Sequence, residues 1–301
     1  MRRLKVRREI AIGGCAVSES NEPVHTRLAE LAAPYARSQV VDLGCGAGPT
    51  LRAVSKLAPE VSLVGIDRSE ESLRRARIAL TKHSGPTTEI VADLSDPLPC
   101  ADASADVVLS YNTIECLPDP HRLLLEVARV LRPGGRAIMA HVDFDSMVVA
   151  GAGTDLDRRV CHAFADDVQG WMDHADGRMG RKLGMLLARS PLTLVSVEPL
   201  LAWSTEFSGH AKERIGQIRK ALLSAARHGR ASVDPAEVEA WFAAVCEADR
   251  LGGFFFSELA FIAVAERPSE EQLISEDTRP ARDGRVSRRD GNQASGRSAA
   301  A

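Results

Sequence analysis

Residues 40–48, Val-Val-Asp-Leu-Gly-Cys-Gly-Ala-Gly, place three glycines at alternate positions, directly after a short apolar run and directly before Pro49. Few folds are open to such a segment. An apolar run this short reads as a buried strand, glycines let the backbone reverse tightly and approach a ligand, and a proline in the first turn of a helix removes an amide that would be unpaired anyway. The order strand, tight turn, helix is the place where open α/β sheets bind their ligands. A dinucleotide fingerprint, G-x-G-x-x-G, would need a glycine where Pro49 stands, counting from Gly44 and Gly46. The nicotinamide-dehydrogenase reading loses its key residue there.

The rest of the first half keeps the same rhythm. Strands are expected at 39–43, 61–66, 89–92, 106–110 and 136–142, with helices at 50–57, 70–82 and 120–131 and another at about 22–32. Strands alternating with helices of this length predict a parallel sheet covered on both faces, a doubly wound α/β fold. The second half departs from it: 150–190 reads as interrupted helix, 192–197 as a strand, 209–228 and 235–249 as helices, and 254–265 as a final apolar strand holding Phe254, Phe255, Phe256 and Phe261. A helical pair inserted before the last strand predicts a lid over one rim of the sheet. The expected layout is a basic flexible arm over 1–20, a ligand-binding core over 21–145, the remaining sheet with its helical lid over 146–267, and a disordered tail over 268–301. The tail is rich in Ser, Glu, Asp, Arg and Gly and lacks the apolar residues a core requires.

Composition narrows the function classes. A formal net charge of −3 and a pI near 6.3 give no general attraction to phosphate backbones, which disfavours a nucleic-acid substrate. The six cysteines, at 15, 45, 100, 116, 161 and 246, show no Cys-x-x-Cys pair and no zinc-finger spacing, so no metal site is expected and reduced thiols in a cytoplasmic protein are. Ile12-Gly13-Gly14-Cys15 has some likeness to a lipoprotein cleavage box, but the apolar run at 10–17 is short, interrupted by glycine and preceded by Glu9. No run approaches the roughly 18 apolar residues of a membrane span.

Carboxylates recur at the strand ends. Asp42 closes the first strand, Asp67 the second and Asp93 the third. A carboxylate only accepts hydrogen bonds and can take two donors, so Asp67 suits the two hydroxyls of a ribose, although it is also placed to cap the helix beginning near Ser69. Asp93 can accept from an exocyclic amine while Leu94 covers a ring, or it can serve only the turn.

Taken together, residues 39–142 resemble the class I methyltransferase domain. The resemblance rests on 40–48 as the glycine motif, Gly65-Ile-Asp67, Ala92-Asp93-Leu94, the segment from Asp106 to Asp119 as the strand-four motif, and Leu131-Arg-Pro-Gly-Gly135 before strand five. It implies a Rossmann-like seven-stranded sheet with the last strand antiparallel, and S-adenosyl-L-methionine as cofactor. It also implies that the glycine loop, through backbone near Gly44 to Gly46, supports the methionine end, with Asp67 at the ribose and Asp93 and Leu94 at the adenine; Asp42, Cys45, Gly48 and Arg68 are counted with them as cofactor-binding residues. Asn112 stands where many relatives place a His or an aromatic residue over the cofactor.

Methyl transfer from a sulfonium depends chiefly on alignment and exclusion of water, and a base is needed only when the nucleophile must lose a proton. Strand five delivers His141, Asp143 and Asp145 to the substrate side, either as base and orienting acids or as polar rim residues; Asp145 also suits a helix cap. In the segment from Trp171 to Leu183, Arg178 or Arg181 suits clamping an acidic group and Trp171 suits stacking, against the plainer reading of an exposed helix face. The expected activity is transfer of a methyl group to an O, N or C nucleophile of a small molecule. An RNA or protein methyltransferase and a non-catalytic S-adenosylmethionine sensor are the alternatives.

Overall fold

The structure is a computed structural model, and residues 16–18, 22–168 and 174–269 are described. Seven main strands run through it: β1 (Gln39–Leu43), β2 (Ser62–Asp67), β3 (Thr87–Val91), β4 (Ala105–Tyr111), β5 (Leu131–Ala150), β6 (Thr193–Ser204) and β7 (Phe255–Glu266). Eight α-helices accompany them among the described residues: α1 (Glu22–Ala32), α2 (Pro49–Leu57), α3 (Glu70–Ala79), α4 (Pro120–Val130), α5 (Thr154–Asp166), α6 (Met179–Ala188), α7 (Gly209–Arg227) and α8 (Pro235–Leu251). The seven strands lie in the order β3-β2-β1-β4-β5-β7-β6, and β7 is antiparallel to both its neighbours. The expected doubly wound sheet with an antiparallel last strand is present.

Pleating explains how one sheet fills two cores. Along β1, Val41 and Leu43 point to one face and Val40 to the other; along β5, Ala137 and Met139 oppose Ile138 and Ala140. The first face packs on α4 and α6 through Leu123, Leu124, Val127, Leu183 and Leu187. The second packs on α1, α2 and α3 through Leu28, Leu51, Val54 and Leu73. Both faces are thus apolar, as a parallel sheet requires.

Three features differ from the sequence expectation. Residues 16–18, assigned to the basic arm, pair in parallel with Leu200–Ala202 and form a short eighth strand at the β6 edge. The rest of that arm and the tail beyond 269 lie outside the described residues, as does Trp171. Strand five, expected over 136–142, runs to Ala150: after a register shift between Asp143 and Val148 it pairs again with Phe255–Ser257, beyond the rim of the sheet. The polar stretch from Asp143 to Ser146 sits at that irregularity and hides the continuation in the sequence.

The overhanging ends of β5 and β7 carry the lid. It has three helices where the sequence suggested a pair, since α5 joins α7 and α8 around a third apolar cluster of Val149, Phe164, Ile215, Ile218, Trp241 and Phe256. Trp241 is fully buried, and its Nε1–H donates at 2.9 Å to Asp157, whose carboxylate also accepts from the Gly151 and Ala152 amides at 3.2 Å each. This ties α8 to the start of α5. Trp241→Phe should cost about 1–3 kcal/mol through the lost donor to a buried carboxylate, and Trp241→Ala about 3–5 kcal/mol through the added cavity; urea unfolding monitored by circular dichroism measures both.

Candidate active site

The glycine turn is set by backbone bonds to the neighbouring strand. The Gly44 and Cys45 amides donate to the Ile66 carbonyl at 2.8 and 3.1 Å, and the Gly48 amide closes back on the Cys45 carbonyl at 2.9 Å. Gly44, Gly46 and Gly48 all have positive φ, 69°, 53° and 76°. At Gly44 the reason for glycine is also steric, because a Cβ would fall 2.2 to 2.9 Å from the side chain of Thr113. The turn and the loop after β4 therefore nest together. At Gly46 a Cβ would meet nothing within 4 Å, so that backbone faces open space.

Between these two loops lies a cavity of about 240 Å³. Gly44, Asp67, Arg68, Asp93, Leu94 and Asn112 line it, together with Ala92, Ser95, Thr113, Cys116, Leu117 and Pro118. The structure thus gathers six of the ten sequence-derived cofactor residues around one space. Asp42 and Cys45 are buried, at 2% and 4% exposure, and like Gly46 and Gly48 do not line it. The wall from Thr113 to Pro118 lies within the strand-four motif read from the sequence, but none of its residues was named there as a site residue.

Asp67 is held by two backbone amides and is not the cap of α3, a place that Ser69 takes. One oxygen accepts from the Gly46 amide at 2.9 Å and the other from the Ser69 amide at 2.8 Å, while Ser69 itself caps α3. Each carboxylate oxygen has a second lone pair, so acceptor capacity remains toward the cavity. Asp93 is held below the usual carboxylate range, first by the Ser95 amide and then by the Ser95 hydroxyl, and it stays ionised. Asp42 is the opposite case: burial and then the nearby Asp67 charge push its carboxyl up to about 8. Among the described residues no side-chain hydrogen bond reaches it. Burial, followed by Asp42 and Asp67, also raises the Cys45 thiol, which keeps it protonated.

Asn112 holds a left-handed backbone at φ 50°, which Asn tolerates better than most residues. Its amide donates to the Ala140 carbonyl, and its Oδ1 accepts from the Val142 amide at 2.9 Å. The side chain thus continues the β4–β5 ladder past the end of β4.

The strand-five residues are placed differently from a simple rim. His141 is fully buried; its Nδ1 faces the Val142 carbonyl, and its Nε2 lies 2.7 Å from Glu115 Oε2, off the line of a hydrogen bond. Asp143, 1% exposed, is gripped by both Nε and Nη2 of Arg181, the latter at 2.7 Å. Asp145 accepts from Arg181 at 3.1 Å and approaches Arg178 at 3.4 Å, and Arg178 also pairs with Asp166. Helix α5 begins after Gly153, so Asp145 does not cap it. Arg178 and Arg181 thus hold the protein's own carboxylates, which is neither the substrate clamp nor the plain solvated face read from the sequence. His141 and Asp143 line neither this cavity nor the groove between the β5 overhang and α5.

Several further buried or half-buried polar residues carry no local sequence signal. His25 on α1 bonds Thr50 at 2.8 Å and meets the Tyr111 ring edge-on, and burial, then Arg52, lowers its pKa to about 4. Burial raises the Tyr111 hydroxyl above its ordinary range. His210, Arg214 and Glu258 form a buried cluster across α7 and β7.

Comparison with known proteins agrees with the site. Residues 41–139 match the family described as a methyltransferase domain. The ubiquinone biosynthesis O-methyltransferase of Thiobacillus denitrificans is 28% identical over 181 residues, covering 59% of this chain and 76% of that protein. The 27-O-demethylrifamycin SV methyltransferase of Amycolatopsis mediterranei is 33% identical over 144 residues, covering 47% and 51%. A crystal structure of a methyltransferase-like protein from Bacillus halodurans superposes with a TM-score of 0.52 at 15% identity, covering 81% of this chain and 99% of that one, which shows the shared fold. Residues 41–139 form a class I methyltransferase domain, the class whose cofactor is S-adenosyl-L-methionine. The chain spans about half or less of the length of most curated relatives it matches. Among the described residues no helix is long and apolar enough to cross a membrane.

The raised Asp42 pKa has a definite sign. The folded state binds the proton more tightly than the unfolded chain, so this group favours folding at acid pH and loses that contribution as pH rises to about 8. Asp42→Asn should therefore unfold at higher urea than the parent at pH 9, by an amount on the order of a few kcal/mol, and the difference should vanish near pH 4. Equal differences at both pH values would show that folding does not shift the Asp42 pKa.

Proposed function

We propose that this protein transfers a methyl group from S-adenosyl-L-methionine to a nucleophile on a small molecule. The observation that carries the reading is the set of carboxylates around the glycine turn: Asp67 and Asp93 open onto one cavity, and Asp42 is buried beside the turn without a donor. These residues fit the cofactor's chemistry. Asp67 would accept from the ribose hydroxyls and Asp93 from the adenine amine, with Leu94 against the ring and Arg68 closing the ribose end. The open backbone at Gly46 would receive the methionine end, and Asp42 would offset its ammonium.

When bound, S-adenosylmethionine supplies a methyl carbon made electrophilic by a positively charged sulfur. The chain contributes alignment and dryness. Thr113 locks the β4 loop against Gly44, which fixes the width of the cavity. Asn112 holds the ends of β4 and β5 together beside it. In this reading Asp143 and Asp145 hold α6 through Arg181 and Arg178, and His141 buttresses the Glu115 turn; none of the three needs to touch the acceptor.

Support for a small acceptor comes from the near-neutral charge balance and from relatives named for ubiquinone biosynthesis and for a rifamycin precursor. Asp93→Ala should weaken S-adenosylhomocysteine binding about tenfold in calorimetry, the value of one hydrogen bond to a charged group. Asp67→Ala should weaken it about a hundredfold, since it also releases the Gly46 amide. With methyl-labelled cofactor and a cell extract, label should appear in the small-molecule fraction. Label only in protein or RNA would overturn the small-molecule assignment, and binding without transfer would make the chain a sensor.

A further inference from the structure

Where β5 overhangs the sheet, a strand borders it on one side only. Its ladder with β4 ends at Ala140, opposite Tyr111, and the Asn112 side chain carries that contact no further than Val142. From Val148 to Ala150 the strand pairs with Ser257 to Phe255 of β7, and among the described residues no strand lies along its other edge. Successive residues of a strand turn their N–H and C=O groups to opposite edges, so main-chain donors and acceptors are offered on the side away from β7.

A groove of about 500 Å³ runs between this overhang and α5. Every residue from Asp145 to Gly151 lines it, whereas a strand met face-on would contribute only every second residue. The groove therefore follows the edge of the strand, where the main-chain groups are. Val148, 52% exposed, stands beside it. From the other side α5 contributes Asp157, Arg158, Cys161 and His162.

The charged groups of the groove are unequally matched. Asp145 accepts from Arg181, and Asp157 from the Trp241 indole and the Gly151 and Ala152 amides. Arg158 and His162 stand one turn apart on the exposed side of α5, and among the described residues neither has a hydrogen-bond or ion-pair partner. The adjacent Arg159, by contrast, is paired with both Asp155 and Glu237. The acids of the groove thus have donors, and its two basic side chains lack an acid.

A small organic acid would meet Arg158 and His162 but leave the strand edge unmet. An extended peptide meets both, since its own main chain supplies the complementary donors and acceptors. Three residues suffice for such pairing on this sheet, as 16–18 show at the β6 edge. We propose that the groove docks an extended segment of a partner polypeptide, which adds a strand to the free edge of β5 and sets an acidic side chain or terminal carboxylate against Arg158 and His162. Main-chain pairing supplies the affinity and the carboxylate the selectivity.

Selection of a random octapeptide library on the full-length protein tests this. Peptides carrying an acid next to β-branched residues should be enriched, and a selected peptide should slow hydrogen–deuterium exchange at 147–151. N-methylation of one alternate set of its backbone amides should abolish binding, and of the other set should spare it. The double variant Arg158→Gln, His162→Gln should bind the peptide about tenfold or more weakly, with circular dichroism and S-adenosylhomocysteine affinity unchanged, because both side chains are exposed. No enriched peptide, unchanged exchange at 147–151, or equal affinity of the double variant would overturn the proposal. Dodecanoate slowing the same exchange when no peptide does would make the groove a small-acid site instead. Self-association of the parent in sedimentation, lost in the double variant, would put a second copy in the groove and equally overturn the assignment.

Discussion

One oxygen of Asp67 holds the Gly46 amide and the other holds the Ser69 amide, so a single carboxylate at the end of β2 fixes both the glycine turn after β1 and the start of α3. The cavity depends on this joint. With the turn held, Gly44 can approach Thr113 at a distance only glycine permits, and the β4 loop becomes the opposite wall. Gly65, beside it on β2, extends the same constraint, since a Cβ there would meet Cys45 Sγ at 2.8 Å. The recognition surface is therefore built mainly from backbone held at short range, and side chains add the charges.

Those charges are distributed unevenly. Asp93 is exposed and ionised, Asp67 is half-buried and satisfied by amides, and Asp42 is buried beside a like charge. Burial and then the Asp67 charge keep the Asp42 carboxyl protonated near neutral pH, and a cation seated beside it would favour the ionised form. The lid is organised by the opposite logic. His210 and Arg214 of α7 are matched with Glu258 on β7, so that α7 is docked by paired charge as well as by the apolar cluster around Trp241, and Arg181 of α6, outside the lid, is matched with Asp143 and Asp145 on β5.

Most of the sheet and the cofactor side of the site could be read from the chain because they are local. Strand, glycine turn and helix lie within twenty residues, and each strand-ending acid is adjacent in sequence to a turn of its own, although Asp67 also reaches the Gly46 amide 21 residues away. Asn112 was legible as a position but not as a role: the sequence marks a departure from a ring, whereas only the structure brings its Oδ1 to the Val142 amide, thirty residues away. The lid was harder for the same reason. Glu258 reads as an interruption in an apolar strand, and His210 and Arg214 as polar positions of an amphipathic helix. Their meaning lies in contacts across more than forty residues, which periodicity does not encode. The overhang of β5 was missed because Asp143-Phe-Asp-Ser146 reads as a loop, while the ladder shifts register and resumes.

The short strand at 16–18 has a consequence for how the molecule behaves in company. It pairs with Leu200–Ala202 and leaves the outer edge of β6 from 193 to 199 without a ladder among the described residues. That stretch exposes Val195 and Val197 but ends in Glu198 and Pro199, a charge tied to Arg27 and a residue with no amide to offer. The apolar part of the edge is short and bounded, and the three-residue strand covers the edge from Leu200 to Ala202. A shortened form of the protein lacking residues 16–18 would present a longer bare edge beside two exposed valines, a template for strand-to-strand association between copies.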